Sequence, residues 1–332
     1  MRRRQFARLA LVGAGAALFA TSAFAQAGPP APAAGRPVFP NHPVRLVVPF
    51  PPGGPNDVIA RALGEQLQRA WGQPVVVENR PGGAGSVGAE AVARAAPDGH
   101  TLLLPTTSHV MAAPLRPRMP YDPLGDFTPV MRIGSSPLLL AVHPSVPAAT
   151  LGELVALMKA QPGAIAFSSA GVGSAPHMAA ALFGSVAGVE LTHVPYPGVA
   201  PATVALVGGQ VQGAFQGSLL TPHVRAGALR ALATAGAARS RWMPEVPTVG
   251  EQGYPGAEVE VWYGILGPAR MSPSLVDRLY DDVRDAMAVS AVRGRLEALG
   301  IEAEDIGPGE FADRLREDMR VPSRLWWKSG VA

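Results

Sequence analysis

A β-branched run, Val44-Arg45-Leu46-Val47-Val48, passes directly into the turn Pro49-Phe50-Pro51-Pro52-Gly53-Gly54-Pro55-Asn56-Asp57. Beyond it Ile59, Ala62, Leu63, Leu67 and Ala70 recur at helical spacing. This is a buried strand, a tight turn and an amphipathic helix in immediate succession. Gly53 and Gly54 permit positive φ and a close approach of ligand to backbone. Pro55 suits the first helical position, where its missing N–H costs nothing. The unit therefore ends in a bare helix N-terminus, which holds anions such as carboxylates without an arginine. In isolation a Gly-Gly-Pro turn is more often a packing device, and a functional reading needs support from elsewhere in the chain.

The unit repeats. Residues 74–78 (Pro-Val-Val-Val-Glu) read as a second strand, a Gly-rich turn at 81–88 leads to a short helix ending at Ala95, and 101–104 read as a third strand. The order β-α-β-α-β predicts an α/β fold with a parallel sheet. Gly83, Gly85 and Gly88 spell a G-x-G-x-x-G pattern between strand and helix. A dinucleotide site also needs an acid at the end of the next strand, and Leu102-Leu103-Leu104-Pro105-Thr106 has none. The glycines are read instead as small residues for tight helix–sheet packing.

Residues 122–131 read as a loop and 137–142 as a strand, and Thr150-Leu151-Gly152-Glu153 is a capping box opening a helix to about Ala160. A second α/β set comes next, with strands at 165–168, 191–195, 211–215 and 229–233. Helices are expected through Met178, Ala181 and Leu182, at 200–207, and briefly between the last two strands. Residues 258–266 alternate toward a strand holding Trp262 and Tyr263. Ser272-Pro273 caps a helix with Val276, Leu279, Tyr280, Val283 and Met287 on one face, and a last helix covers about 310–319.

At 332 residues the chain has room for two domains with their own cores. The absence of cysteine excludes disulfides, a thiol nucleophile, a cysteine metal site and a lipidated N-terminus. Residues 1–25 read as a signal peptide. Arg2, Arg3, Arg4 and Arg8 precede an apolar stretch, and Ala23-Phe24-Ala25 fits a cleavage site. Arg3-Arg4-Gln5-Phe6 matches a twin-arginine signal in part and an ordinary secretory leader equally well. Without those four arginines, 24 basic residues face 25 acidic ones, so the apparent basicity belongs to the leader and nucleic-acid binding loses its support. Residues 26–40, rich in Pro, Ala and Gly, read as a linker.

A second turn, Ser168-Ser169-Ala170-Gly171-Val172-Gly173-Ser174, again succeeds a strand and precedes a helix. It offers another anion-ready N-terminus with added hydroxyls. If both turns meet across a cleft between two lobes, a carboxylate held by both favours the closed state. Two unrelated turns in a Gly-rich chain remain the alternative on pattern alone.

The motifs Pro-Val-Arg-Leu-Val-Val-Pro-Phe-Pro-Pro-Gly-Gly (43–54), Val-Val-Glu-Asn-Arg-Pro-Gly-Gly (76–83), Ala-Pro-Asp-Gly-His-Thr-Leu-Leu (96–103), Ser-Ser-Ala-Gly-Val-Gly-Ser (168–174), Thr-His-Val-Pro-Tyr (192–196) and Trp-Tyr-Gly (262–264) occur in register. With them the chain from about Pro40 onward resembles the Bug-type substrate-binding proteins of tripartite tricarboxylate transporters. The resemblance implies a type II periplasmic-binding-protein fold, two α/β lobes joined by crossover strands with a central ligand cleft. The crossings are then expected near 136–143 and 258–267, with lobe one at 41–137 and 265–332 and lobe two at 138–264. It further implies a carboxylate held by Phe50, Gly53, Gly54, Asn56 and Asp57 of the first turn and Ser169, Ala170, Gly171, Gly173 and Ser174 of the second. Tyr196 and Gly198 belong to a neighbouring loop, and Gln216 to a strand end facing the cleft. Here Pro197 stands where the family often has a basic residue, Asn56 where it often has Thr, and Gln216 where it usually has Asp. A neutral amide cannot pair with a ligand ammonium as a carboxylate would, so the expected ligand is a di-, tri- or aromatic carboxylate rather than an amino acid. Val321-Pro322-Ser323 is expected to kink the last helix.

The implied function is an extracytoplasmic, periplasmic binding protein that delivers a small carboxylate to membrane permease subunits, acting as a monomer with no cofactor. The same closed form would serve signalling to a sensor kinase. A periplasmic hydrolase is disfavoured, since neither a Gly-x-Ser-x-Gly elbow nor a His-Glu-x-x-His metal motif occurs and the seven histidines are scattered. His177, three residues after Ser174, reads as a packed or surface histidine. Trp326-Trp327 reads as tail packing.

Overall fold

The computed structural model describes residues 39–113 and 118–329. The expected leader, nearly all of the linker and the side chains of Trp326 and Trp327 lie outside the described residues and side chains.

Strand β1 (Val44–Val48) runs through the Gly-Pro turn into helix α1 (Pro55–Trp71), which ends on Gly72 in the left-handed region. The face of α1 carrying Ile59, Leu63 and Leu67 is buried, as the spacing predicts. Strand β2 (Val75–Asn79), helix α2 (Ser86–Ala93), strand β3 (Thr101–Leu103) and the single turn α3 (Ser108–Met111) come next. β1 pairs in parallel with both β2 and β3. The sheet does not stay parallel. Strand β4 (Phe127–Pro137), strand β10 (Glu260–Pro268) and strand β11 (Glu302–Ile306) extend it antiparallel, giving the order β11-β4-β10-β3-β1-β2.

The second sheet holds β5 (Leu139–Val142), β6 (Ala166–Ser169), β7 (Thr192–Pro195), β8 (Gly213–Gln216) and β9 (Arg230–Thr234) in the order β7-β6-β8-β5-β9. Its helices are α4 (Leu151–Ala160), α5 (Ala175–Ala187), α6 (Val199–Val207) and the short α7 (Thr221–Arg225). The capping box of α4 forms in both directions, Glu153 N donating to Thr150 Oγ1 and Thr150 N to Glu153 Oε2. Only Leu138 separates β4 from β5, so the chain passes between sheets at one residue. It returns after Val259, whose N–H donates to Ala235 O. Helices α8 (Pro273–Ala288), α9 (Ser290–Ala298) and α10 (Pro308–Ser329) complete the first half. Two mixed sheets joined by crossover strands make this the bilobed α/β architecture of the type II periplasmic-binding-protein fold.

Three expectations are corrected. Residues 122–131 are not all loop, because β4 starts at Phe127. Pro129 masks the strand in the sequence and sits at a register irregularity opposite Leu266, where its missing N–H is tolerated. The last helix runs on to Ser329, past its expected end near residue 319. β11, with Glu302, Glu304 and Asp305 in five residues, lacks an apolar alternation and escaped the pattern because it is an edge strand.

The Gly-rich pattern is a packing device. A Cβ on Gly88 would lie 2.9 Å from Pro49 Cα and 3.0 Å from the Arg80 carbonyl oxygen, so α2 lies directly on the first turn. Gly88→Ala is therefore expected to destabilise the protein by about 1–3 kcal/mol through backbone displacement. A urea midpoint equal to that of the wild type would refute the close-packing account.

Candidate functional site

Helices α1, α3, α5 and α6 each follow a strand of a parallel pair, and their first residues Pro55, Ser108, Ala175 and Val199 all line one cleft. The cleft and its mouth enclose roughly 680 Å³ of empty space. Its polar side chains are Asn56, Thr106, Ser108, Ser174 and Tyr263, and no Asp, Glu, Lys, Arg or His is among the lining residues. Burial pushes the Tyr263 phenol well above its ordinary pKa, so it is a neutral hydroxyl at any physiological pH.

The first turn is built as the sequence suggests. Gly53 takes φ 85°, Pro55 opens α1, and no side chain caps the helix. Asn79 Nδ2 donates to Phe50 O at 3.1 Å and Asn56 Nδ2 to Leu104 O at 3.1 Å, which pins the turn to its neighbours. Asp57 folds back under the turn, its Oδ2 accepting from Gly53 N and from Arg61 Nε, both at 3.1 Å. Burial raises the Asp57 pKa, but the hydrogen bonds from the Arg61 guanidinium and the Gly53 amide outweigh it and hold the carboxyl below its ordinary value. Asp57 is thus an anchor of the turn and is not among the cleft-lining residues.

The second turn differs from expectation. Its amides are largely engaged within the protein: Gly171 N donates to Ser169 Oγ at 3.1 Å and Gly173 N to His177 Nδ1 at 3.2 Å. Ala175 N donates across the cleft to Ser108 Oγ at 3.0 Å, and Ser174 caps α5 by accepting from His177 N. His193 Nε2 lies 2.6 Å from Ser169 Oγ, and its ring is 4.0 Å from that of His177. In this half the helix that starts uncapped at the cleft is α6, at Gly198. Gly198 also touches the first turn, since a Cβ there would lie 3.1 Å from Pro51 Cγ and Cδ.

Phe50, Gly54, Asn56, Ala170, Ser174 and Gly198 line the cleft. Gly171 and Tyr196, with Phe50 and Ala170, border a second recess. Gly53, Asp57, Ser169 and Gly173 belong to the turns but are not among the lining residues of either recess. Gln216 does not face the cleft: it is fully buried, its Oε1 accepting from Thr203 Oγ1 at 2.6 Å and its Nε2 donating to Ser168 Oγ at 3.3 Å. Thr106, Ser108 and Tyr263 are lining residues that the sequence pattern did not single out. The signal was present, because Thr106-Thr107-Ser108 comes after a strand as the other two turns do.

A bilobed α/β protein with one neutral cleft at the converging helix starts of both sheets is a solute-binding protein. Residues 59–317 match the tripartite tricarboxylate transporter family receptor, and the chain belongs to that family. It is 38% identical to BugT of Bordetella pertussis over 285 residues, covering 84% of this chain and 87% of the other. The fold matches that of the periplasmic binding protein BugD with a TM-score of 0.82 at 31% identity, over 88% of this chain and 99% of that one. It also matches MatC of Rhodopseudomonas palustris, solved with bound malate, with a TM-score of 0.81 at 34% identity over 86% of this chain and 100% of that one. The family consists of periplasmic transport proteins that work with membrane permease components and are not enzymes. Among the described residues no helix is long and apolar enough to cross a membrane.

Proposed function

We propose that this protein captures a small di-, tri- or aromatic carboxylate in the periplasm and delivers it, as a monomer, to the permease subunits of a tripartite tricarboxylate-type transporter after removal of residues 1–25. The observation that carries this reading is the meeting of two uncapped helix starts, at Gly54 and Gly198, beside the hydroxyls of Thr106, Ser108 and Ser174 in a cleft with no charged side chain. Helix amino ends and hydroxyls satisfy a carboxylate without a counter-ion. The lobes, 41–137 with 265–332 and 138–264, close over it. The remaining lining is apolar and suits the carbon body of the ligand. The malate bound by MatC supports the same ligand class here. No acid lines the cleft to receive an ammonium, which argues against amino acids.

A thermal-shift screen of the chain from Gln26 against carboxylates, amino acids, sugars and metals tests this. A carboxylate at a thousand times its Kd is expected to add about 4 kcal/mol of stability. Gly54→Leu is expected to abolish that gain while folding normally. Gly54 has an ordinary φ of −82°, and its Cβ would meet nothing closer than 3.9 Å. A strong amino-acid ligand, or undiminished carboxylate binding in Gly54→Leu, would overturn the assignment.

A further inference from the structure

The amino ends of β1 and β3, opposite the end that feeds the cleft, carry a second cluster. His42 precedes β1, and Asp98-Gly99-His100 forms the turn before β3. Parallel pairing of the two strands, with Arg45 opposite Thr101 and Arg45 N donating to His100 O at 2.8 Å, brings these distant segments together. One ligand atom from each of His42, Asp98 and His100 lies within 4.8 Å of the others.

His100 is only 9% exposed, yet both its ring nitrogens lack a hydrogen-bond partner among the described residues. Buried polar groups left unpaired are costly and call for a physical reason. Phe39 packs edge-on against the His100 ring at 5.0 Å and holds it in place. Asp98 Oδ1 accepts from His100 N at 2.9 Å and stands 3.4 Å from His100 Nδ1. That second separation is about the edge of a tetrahedron of ligands around an ion with bonds of roughly 2.1 Å. His42 stacks on His100 with centroids 3.6 Å apart. Its Nδ1 faces the Pro43 carbonyl at 3.3 Å, and a carbonyl only accepts, so the proton sits on Nδ1 and the Nε2 lone pair is available. The exposed His42 ring can turn that nitrogen toward an ion held by the other two.

We infer that His42, Asp98 and His100 form a site for a divalent cation of the zinc class. Two imidazoles and one carboxylate suit zinc, nickel or copper and do not suit magnesium or calcium. Three protein ligands leave a coordination position for water. An ion there ties the segment Phe39 to His42 onto the sheet, at the end of β1 remote from the cleft.

The test uses the untagged chain from Gln26, stripped with chelator and titrated with zinc chloride by calorimetry. One ion per chain is expected, with X-ray absorption showing two imidazole ligands. His42→Ala and Asp98→Asn are each expected to weaken zinc by at least about tenfold. His223→Ala, at a half-buried histidine in α7 far along the chain from the cluster, is expected to leave zinc binding unchanged. His100→Gln is expected to abolish it; should that variant fail to fold, the exposed His42 carries the test. Absence of stoichiometric zinc binding, or undiminished affinity in His42→Ala, would overturn the inference.

Discussion

Replacing Gly198 by valine is expected to weaken ligand binding by about tenfold to a hundredfold, the equivalent of 1–3 kcal/mol of overpacking. Gly198 has φ 178°, an extended conformation open to any residue, so the variant carries no backbone strain. The effect arises at the contact between halves, where a Cβ would already be 3.1 Å from the Pro51 ring. Branching at that carbon wedges the first turn away from α6. A ligand held by both halves binds the closed form, and a closed form made less favourable binds it more weakly by the same factor. The melting temperature of the ligand-free protein is expected to change little. Calorimetric titration reads the affinity, and small-angle scattering reads whether the bound variant stays more open. Wild-type affinity in Gly198→Val would show that the bound form does not use the Pro51–Gly198 contact.

Acid is expected to destabilise the protein steeply between pH 6.5 and about pH 4. Burial holds the His109 pKa down from 6.5 to about 4, although its Nε2 pairs with Pro123 O at 2.9 Å. Burial, and then the neighbouring His193, lower His177 to about 4, and burial lowers His193 as well. All three shifts have the same sign. The unfolded chain takes up protons at these positions first, so stability is complete above about pH 6.5 and falls as pH drops. The loss levels off for His109 and His177 below about pH 4. His109 alone accounts for on the order of 3 kcal/mol across this window. The cleft responds too: Gly173 N donates to His177 Nδ1, and protonation of that nitrogen removes the acceptor and loosens the second turn. Urea melts at pH 7, 5.5 and 4.5 are the measurement, with His109→Gln expected to flatten the slope. Equal stability at pH 7 and 4.5 would contradict the assignment of neutral buried histidines.

What the sequence made legible was local. The bare start of α1 comes from Gly53, Gly54 and Pro55 in succession, and the α4 start from Thr150 and Glu153, because each signal lies within one turn of chain. The bilobed fold and the family came from motifs in register along the chain. The rest depended on which strands became neighbours. Thr106, Ser108 and Tyr263 meet because β10 inserts beside β3, and no spacing encodes that. Gln216 ends β8, yet its amide turns inward to Thr203 and Ser168, a direction set by α6 packing on the sheet. The second turn looked bare only because the acceptors of its amides, Ser108 and His177, lie on another element or a full helical turn onward.

The insertion of β10 also makes one sheet depend on a late part of the chain. Strands β5 to β9 are contiguous in sequence, so their sheet takes no strand from elsewhere in the chain. The other sheet stays in two pieces, β1, β2 and β3 on one side and β4 on the other, until residues 260–268 arrive to fill the gap. Until then β3 and β4 each present an unpaired edge. These pairings join residues such as Leu103 and Leu266, and such long-range closure is slow. A chain translocated unfolded, amino end first, would therefore expose sticky β edges for most of its passage, a hazard that prior folding in the cytoplasm would remove.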